Sequence, residues 1–242
     1  MTRLSTAVLA ICLVSVAGVF PAFAQQMTTA LVEAVQRGGH VMLMRYGAVQ
    51  MVKEPSPLDL ADCAAQHRLT DKGRDQGRTI GAAFRTLNIP VGQVLNSGYC
   101  RTTEYARLAF GKAEASELLL HPKYVPVPGA PIPPPYEKRV EAVKKLLATP
   151  PAAGTNTVVI THGLVVRDVA GFEMAAAEAA IFQPDGRGGT TVVVRVLPDG
   201  WVAKKYSYSV PSSSESASLP RPGPTNNELR LFAARSRGKW RC

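Results

Sequence analysis

The sequence is poor in the residue types that hold metal ions. It contains four histidines and four cysteines among 242 residues, and both types are scattered, with no carboxylate cluster beside them. Zinc and similar metals are bound by several His, Cys or carboxylate groups at short, regular spacings. The sequence therefore indicates no metal site, and we expect neither a metal nor another cofactor.

Long hydrophobic runs are also few, and the one marked example lies at the start of the chain. Arg3 precedes an apolar stretch over residues 7–20, and the small residues Ala22 and Ala24 follow it. This order predicts a secretory signal peptide over residues 1–24. A membrane anchor is the alternative, although a spanning helix needs roughly 20 apolar residues. Because no later stretch is long and apolar enough to cross a membrane, we expect a periplasmic or secreted protein.

Lysine and arginine outnumber aspartate and glutamate, but the excess positive charge forms no motif typical of nucleic-acid recognition. The formal charge is +10, and four of these net charges fall in residues 211–242, which are rich in serine and proline. Such a segment buries little apolar surface, so we predict a disordered basic tail with, at most, weak contact to anionic surfaces. We expect no specific nucleic acid partner. Residues 25–210 suit one domain with a single core.

The order of the predicted elements in this domain indicates an α/β fold. Apolar runs over residues 40–46 and 155–163 are typical of strands covered on both faces. Strands that alternate with helices favour a mostly parallel sheet with helices on both faces, and hence three layers. The turn sequences PDGRGG and PDG separate β-rich runs near the end, which predicts a C-terminal antiparallel hairpin. Helices are predicted over residues 28–37, 70–89, 100–111 and 136–148.

Three predicted strands end close to side chains that suit one anion. Arg45 follows the first strand, Arg101 comes just after the second, and His162 follows the third. Ligands of open α/β sheets bind at the carboxyl ends of the strands, so we expect one shared crevice. Two guanidinium groups match the oxygens of phosphate or of a phosphorylated small molecule. A surface ion pair or a packed structural histidine is the alternative for each residue taken alone.

Export also favours a disulfide, because disulfides persist outside the cytosol. Removal of the signal peptide, which carries Cys12, leaves Cys63, Cys100 and Cys242. We predict a bridge between Cys63 and Cys100, since both lie in segments that we place near the crevice. Two buried free thiols are the alternative, and the odd count leaves Cys242 over.

Four motifs surround these side chains: LMRYG, LTDKGRDQGRTIG, SGYCRTTEYA and THGLVVR. They resemble, in order, the elements Leu-Met-Arg-His-Gly, Leu-Thr-x-x-Gly-x-x-Gln-Ala, Ser-x-x-x-Arg-x-x-x-Thr-Ala and His-Gly of the histidine phosphatase superfamily. That superfamily includes the phosphoglycerate mutases, and the resemblance, over residues 35–205, is nearer to its small exported bacterial members. It implies a phosphoglycerate mutase-like fold. It also implies that Arg45, Arg101 and His162 belong to the family's phosphate pocket.

Tyr46 departs from this resemblance at the position of the family's nucleophile. Family members form a phosphohistidine there and hydrolyse it. A phenol with a pKa near 10 is only about 0.1% ionised at pH 7, whereas neutral imidazole offers a free lone pair. An aryl phosphate also lacks the labile P–N bond of phosphohistidine. The resemblance therefore implies a phosphatase-like protein whose activity is impaired or absent.

Further candidate residues lie in the helix that follows the second strand. Glu104 is one helical turn from Arg101 and is a candidate proton donor to a leaving alcohol. A salt bridge from Glu104 to Arg101 or Arg107 is the alternative. Tyr105 replaces a threonine of the family pattern, and Gly98 stands where a proline is common, so we expect both departures close to the chemistry.

The other histidines offer one candidate substitute for the missing nucleophile. His67 is expected near the rim of the crevice, whereas His40 begins the first strand about 20 Å from position 46. We expect His121 on the surface, at a strand end. Three functions stay open: a phosphate-binding pseudophosphatase, a slow or atypical phosphomonoester hydrolase, and an interaction protein that acts through its basic tail.

Overall fold

Within residues 25–201, six strands form one sheet, most of which is parallel. The computed structural model describes residues 25–201. Its strands are β1 (Val41–Arg45), β2 (Val49–Gln50), β3 (Arg68–Leu69), β4 (Val91–Asn96), β5 (Glu114–Ala115), β6 (Asn156–Thr161), β7 (Ala179–Pro184) and β8 (Thr190–Val196). The helices are α1 (Thr29–Gln36), α2 (Asp71–Thr86), α3 (Cys100–Phe110), α4 (Tyr136–Leu147) and α5 (Gly163–Ala170). Short 3-10 helices cover Cys63–Ala65, Glu117–Leu119 and Pro198–Trp201.

The sheet has the order β5-β4-β6-β1-β7-β8. Strands β5, β4, β6 and β1 are parallel neighbours, whereas β7 and β8 form an antiparallel hairpin at the other side. A separate two-stranded sheet joins β2 to β3. The predicted fold class, a mostly parallel α/β sheet with a C-terminal antiparallel hairpin, is confirmed.

The central strand β1 has one apolar core on each face of the sheet. Successive side chains of a strand point to opposite faces. Met42 and Met44 accordingly pack in the cluster that contains side chains of α1, α2 and α3, whereas Val41 and Leu43 pack in the cluster that contains side chains of α4 and α5. Helices therefore cover both faces, which is why residues 41–44 of β1 are all apolar and show no alternation with polar residues.

Helix α2 starts at the predicted N-cap and packs closely on α3. The Thr70 hydroxyl accepts a hydrogen bond from the Gly73 backbone N–H, at 3.2 Å. A Cβ atom at Gly81 would collide with the backbone of Ala109, so only glycine allows this close approach of the two helices. The helix ends at Thr86, four residues before Pro90.

The registers of the parallel strands place the predicted site residues at one edge of the sheet. Arg45 of β1 pairs with Thr161 of β6, and Asn96 of β4 pairs with Ile160 of β6. The residues that follow these three strands therefore leave the sheet side by side. This edge holds the candidate site.

Several predictions concern parts of the chain outside the described residues. They are the signal peptide over 1–24, the basic tail over 211–242, the leftover Cys242 and the β-rich run that continues beyond Trp201. Within residues 25–201, none of the helices combines the length and the apolar character that crossing a bilayer requires.

Candidate functional site

A cleft of about 740 Å³ lies at the carboxyl ends of β1 and β6. Arg45, Tyr46, Arg101 and His162 all line it, so the structure brings the three predicted phosphate-binding side chains together around position 46. Other polar or aromatic residues that line it are Glu54, His67, Tyr99, His121, Lys123, Tyr124 and Glu173.

Arg45 is the last residue of β1, and its guanidinium group lies against the start of α5. Its Nη1 atom donates to the Met174 carbonyl oxygen at 2.7 Å. Its Nε atom is buried and has no hydrogen-bond partner among residues 25–201. Gly163, the first residue of α5, packs on the same group, with an ideal Cβ position 3.5 Å from Nε. Arg45 thus has one buried N–H donor that no group in residues 25–201 uses.

Arg101 is buried near the start of α3, with 2% of its surface exposed. The guanidinium carbon lies 4.4 Å from the centre of the Tyr99 ring and 5.3 Å from that of Tyr46. Its Nη1 atom donates to Glu54 Oε1 at 2.7 Å, and its Nε atom is buried without a partner in the described part of the chain. The two aromatic faces and the carboxylate therefore hold this cation in place.

His162 follows β6 and is held as a neutral imidazole. Arg101 Nη2 lies 3.4 Å from His162 Nδ1, and Ser97 Oγ lies 2.8 Å from Nε2. Because arginine only donates hydrogen bonds, Nδ1 must accept, and we assign the proton to Nε2, which donates to Ser97. Burial and then the Arg101 charge hold the pKa of His162 well below its usual range. His162 therefore positions Arg101 and presents no free lone pair.

Two further histidines line the cleft, and the expectation that His121 lies on the surface is wrong. The His121 and His162 rings meet edge to face, 5.2 Å apart. The Lys123 backbone N–H donates to His121 Nδ1 at 3.2 Å, and the Val52 backbone N–H donates to His67 Nδ1 at 3.1 Å. Both rings therefore carry their proton on Nε2. Within the described cleft, every histidine uses its lone pair as an acceptor for another group.

The buried His162 and the half-buried His121 predict a loss of stability in acid. Burial, followed by the Arg101 charge, lowers the pKa of His121 to about 4 from the usual 6.5, and the pKa of His162 falls in the same direction. The unfolded chain thus binds protons that the folded chain refuses. We expect the free energy of unfolding to fall as the pH drops from 6.5 towards 4, and His121→Gln to flatten this dependence. Urea denaturation across this pH range measures both effects, and an equally steep fall in the variant would contradict the assignment to His121.

Glu104 does not have the predicted position. Its Oε1 atom pairs with Arg74 Nε of α2 at 2.7 Å, and the residue lies outside the cleft. Glu104 therefore lies in neither predicted place. It is not in the site as a proton donor, and its salt bridge is not to Arg101 or Arg107. Three residues along α3 turn the side chain from the cleft towards α2, so helical spacing from Arg101 is a poor guide to the site.

Neither of the two other departures from the family pattern lines the cleft. Tyr105 is fully buried between α2 and α3, where its ring packs on Gly77. Burial raises the pKa of its hydroxyl, which has no hydrogen-bond partner among residues 25–201. Gly98 has φ +75°, a conformation closed to proline, whose ring fixes φ near −65°. Tyr105 is therefore a core residue, and Gly98 a turn residue beside the cleft.

The structure contains a disulfide between Cys63 and Cys100, whose Cα atoms are 5.6 Å apart. Cys63 begins a short 3-10 helix in the loop after β2, and Cys100 begins α3, one residue before Arg101. The bridge therefore joins that loop to the part of α3 that presents the buried cation.

Sequence reasoning missed Glu54 and His121. Glu54 lies in a proline-containing loop with no motif, and its contact with Arg101 spans 47 positions. His121 follows an apolar run, and this run was the one sequence feature that indicated a position at the end of a secondary-structure element. The described residues contain no group of three or more His, Cys, Asp or Glu side chains that could hold a metal ion.

Comparison with known proteins gives a sequence match over part of the chain. The mitochondrial serine/threonine-protein phosphatase Pgam5 of Drosophila virilis is 33% identical over 96 residues, which are 39% of this chain. The chain spans only 30% of that protein. No protein-family model matches the chain.

Two solved structures match the chain at lower similarity. The protein histidine phosphatase SixA, complexed with tungstate, is 17% identical and has a TM-score of 0.48, covering 67% of this chain and 99% of its own. A phosphoglycerate mutase of Thermus thermophilus is 20% identical with a TM-score of 0.42, covering 65% of this chain and 98% of its own. No activity follows from likeness at these levels.

Proposed function

We propose that this chain is an exported member of the histidine phosphatase superfamily that binds phosphate, or a phosphorylated small molecule, and turns it over poorly or not at all. The observation that carries this proposal is the meeting of Arg45, Arg101 and His162 around Tyr46 in one cleft. The sequence similarity to Pgam5 supports the family assignment. The disulfide supports a periplasmic or secreted location, because such bonds persist in oxidising compartments.

The chemistry of the cleft suits a phosphate ester. Arg45 and Arg101 each keep a buried Nε donor without a partner among residues 25–201, and Lys123 lines the same cleft. Guanidinium donors favour the oxygens of a phosphate dianion. Around them the wall is largely apolar or aromatic, which suits an ester with an apolar or aromatic organic part. The residues of this wall are Val49, Met51, Leu58, Tyr99, Tyr124 and Leu164.

The same cleft is short of a nucleophile. Tyr46 occupies the position that aligns with the family's phosphohistidine, and its ring meets that of His162 at 5.6 Å. His67, the predicted substitute, accepts the Val52 N–H at the nitrogen that would have to attack. His40 is buried at the start of β1, where it contacts the Gly38 carbonyl oxygen. These contacts support a pseudophosphatase.

A slow or atypical phosphomonoester hydrolase is the second candidate. The buried guanidinium donors that favour it would stabilise charge on a phosphoryl group attacked directly by water. Enzymes that lose their nucleophile keep about 10³- to 10⁴-fold catalysis over water through such groups. The interaction function of the basic tail concerns residues outside the described part of the chain.

Phosphate is expected to raise the melting temperature of the protein, and Arg101→Met is expected to abolish the rise. A ligand that binds only the folded state at ten times its Kd adds about 1.4 kcal/mol of stability. Thermal unfolding is followed by circular dichroism at increasing phosphate and constant ionic strength. Arg107→Met is the matched control, because Arg107 is an exposed residue of the same helix.

Loss of the phosphate effect in Arg101→Met, and its retention in Arg107→Met, would support the cleft as the binding site. No shift of the parent protein at tens of millimolar phosphate would refute the phosphate pocket. An equal shift in both variants would place the anion elsewhere on the molecule.

A further inference from the structure

We propose that Glu54 is an internal competitor for Arg101, which anions must displace, and that it makes the cleft select dianions over monoanions. This inference rests on the proposed phosphate pocket and adds a residue that decides which anions enter it. Glu54 belongs to none of the four motifs that carry the family resemblance.

The position of Glu54 is that of a bound anion. Its Oε1 atom accepts a hydrogen bond from Arg101 Nη1 at 2.7 Å and another from the His67 backbone N–H at 2.8 Å. The side chain of Glu54 is 21% exposed, whereas that of Arg101 is 2% exposed. The carboxylate thus enters from the open side of the cleft and engages the buried cation. A phosphate oxygen that binds to the same N–H of Nη1 must take its place.

Arg45 differs from Arg101 in this respect. No carboxylate of residues 25–201 pairs with Arg45, whose Nη1 atom is bound to the neutral Met174 carbonyl. One of the two cleft guanidinium groups is therefore neutralised by the protein itself, and the other retains its full charge. An incoming anion meets one open cation and one that is already paired.

This asymmetry favours ligands with two negative charges. A monoanion that displaces Glu54 exchanges one charge-assisted hydrogen bond for another and gains little. A phosphate dianion engages Arg45 at the same time and so offsets the loss of the contact between Glu54 and Arg101. The displaced carboxylate repels a dianion more than a monoanion, so the selectivity rests on the added contact with Arg45.

The simplest alternative is that Glu54 only compensates a buried charge. In that role Glu54 would make Arg101 better ordered, and removal of the Glu54 charge would weaken phosphate binding or leave it unaltered. If Glu54 competes with anions for Arg101, removal of its charge strengthens phosphate binding. The direction of the affinity change after loss of the Glu54 charge therefore separates the two.

The test compares Glu54→Gln with Glu173→Gln by calorimetric titration at pH 8, with phosphate as the dianion and methanesulfonate as the monoanion. Glu173 lines the same cleft, and its side chain has no ion pair with Arg45 or Arg101 among the described residues. Both variants thus remove one negative charge from the cleft. Glu54→Gln is expected to bind phosphate about tenfold more tightly and methanesulfonate at least tenfold more tightly, since each contact to a charged group supports such a factor. Glu173→Gln is expected to gain about twofold or less.

Each outcome decides the question. Tighter binding by Glu54→Gln, with the larger gain for methanesulfonate, supports the competitor. Unaltered or weaker binding by a parent-like folded Glu54→Gln overturns it, and the phosphate pocket survives if the parent binds phosphate. Equal gains in both variants also overturn it, because a general charge effect explains them. If neither parent nor variant binds phosphate, the pocket and the competitor both fail.

A second variant covers the case in which Glu54→Gln does not fold. Glu54→Asp keeps the charge but shortens the side chain by one methylene, which withdraws the carboxylate from Arg101. It is expected to bind phosphate more tightly than the parent by a smaller factor than Glu54→Gln. Weaker binding by a folded Glu54→Asp would overturn the proposal in the same way.

Discussion

Tyr46→His is expected to raise the turnover of a generic aryl phosphate by about 10³-fold or more over the parent protein. Restoring a nucleophile to a site that retains its charge-stabilising groups recovers a factor of this order or larger. The variant is also expected to accumulate an acid-labile phosphohistidine. Steady-state hydrolysis measures the first effect, and rapid acid-free quenching followed by intact mass measurement detects the second.

The geometry around position 46 explains why one substitution suffices. Tyr46 directly follows Arg45 at the end of β1, and the Arg101 guanidinium lies over its ring. An imidazole is shorter than a phenol, so Tyr46→His opens space for a phosphorus atom between the nucleophile and the two cations. Of the groups that hold Arg101 and His162, this substitution replaces only the Tyr46 ring. Tyr99, Glu54 and Ser97 are untouched.

Tyr124→His is the matched control for this experiment. Tyr124 lines the same cleft but contacts Tyr99 rather than the two cations, so an imidazole there is expected to add no comparable turnover. A similar gain in turnover from both variants would show that any added histidine in the cleft raises turnover, either as a base or by binding a contaminating metal ion. Turnover of the parent protein equal to that of Tyr46→His would refute the pseudophosphatase and favour the atypical hydrolase.

Much of the fold could be predicted because its determinants are local. The apolar run of β1 has buried residues on both faces, Thr70 caps α2, and the PDGRGG turn separates β7 from β8. Each of these features depends on neighbours in the chain and on hydrophobic periodicity. The sequence therefore indicated the layers and the hairpin without knowledge of any distant contact.

The site was predictable only where it follows the ends of the sheet strands. Arg45 ends one of two paired parallel strands, His162 directly follows the other, and Arg101 is the second residue of the helix after a third. Topology alone therefore places them together. Glu54 and His121 arrive from loops, whose paths depend on long-range packing. The prediction for Glu104 was wrong because a helical offset from Arg101 does not say which neighbouring helix the side chain contacts.

Removal of the disulfide by the double substitution Cys63→Ala and Cys100→Ala is expected to lower the free energy of unfolding by about 4 kcal/mol. The bridge closes a loop with a sequence separation of 37, and the chain-entropy model gives about this value for such a loop. Urea denaturation without reductant measures the loss. The same double variant is expected to bind phosphate more weakly, because Cys100 immediately precedes Arg101 and the bridge holds the start of α3 in place.

Two controls show whether loss of the bridge itself lowers the free energy of unfolding. They are reduction of the parent protein and substitution of Cys242. Dithiothreitol is expected to bring the parent to the stability of the double variant and to have no further effect on that variant. Cys242→Ala lies outside the described residues and serves as the control for loss of a thiol. Equal unfolding free energies of the parent and the double variant would mean that the loop is already constrained by its contacts, such as the hydrogen bond from the Cys100 backbone N–H to the Gln66 side chain. In that case Arg101 is positioned by packing on Tyr99 and by Glu54, and the disulfide is dispensable for the cleft.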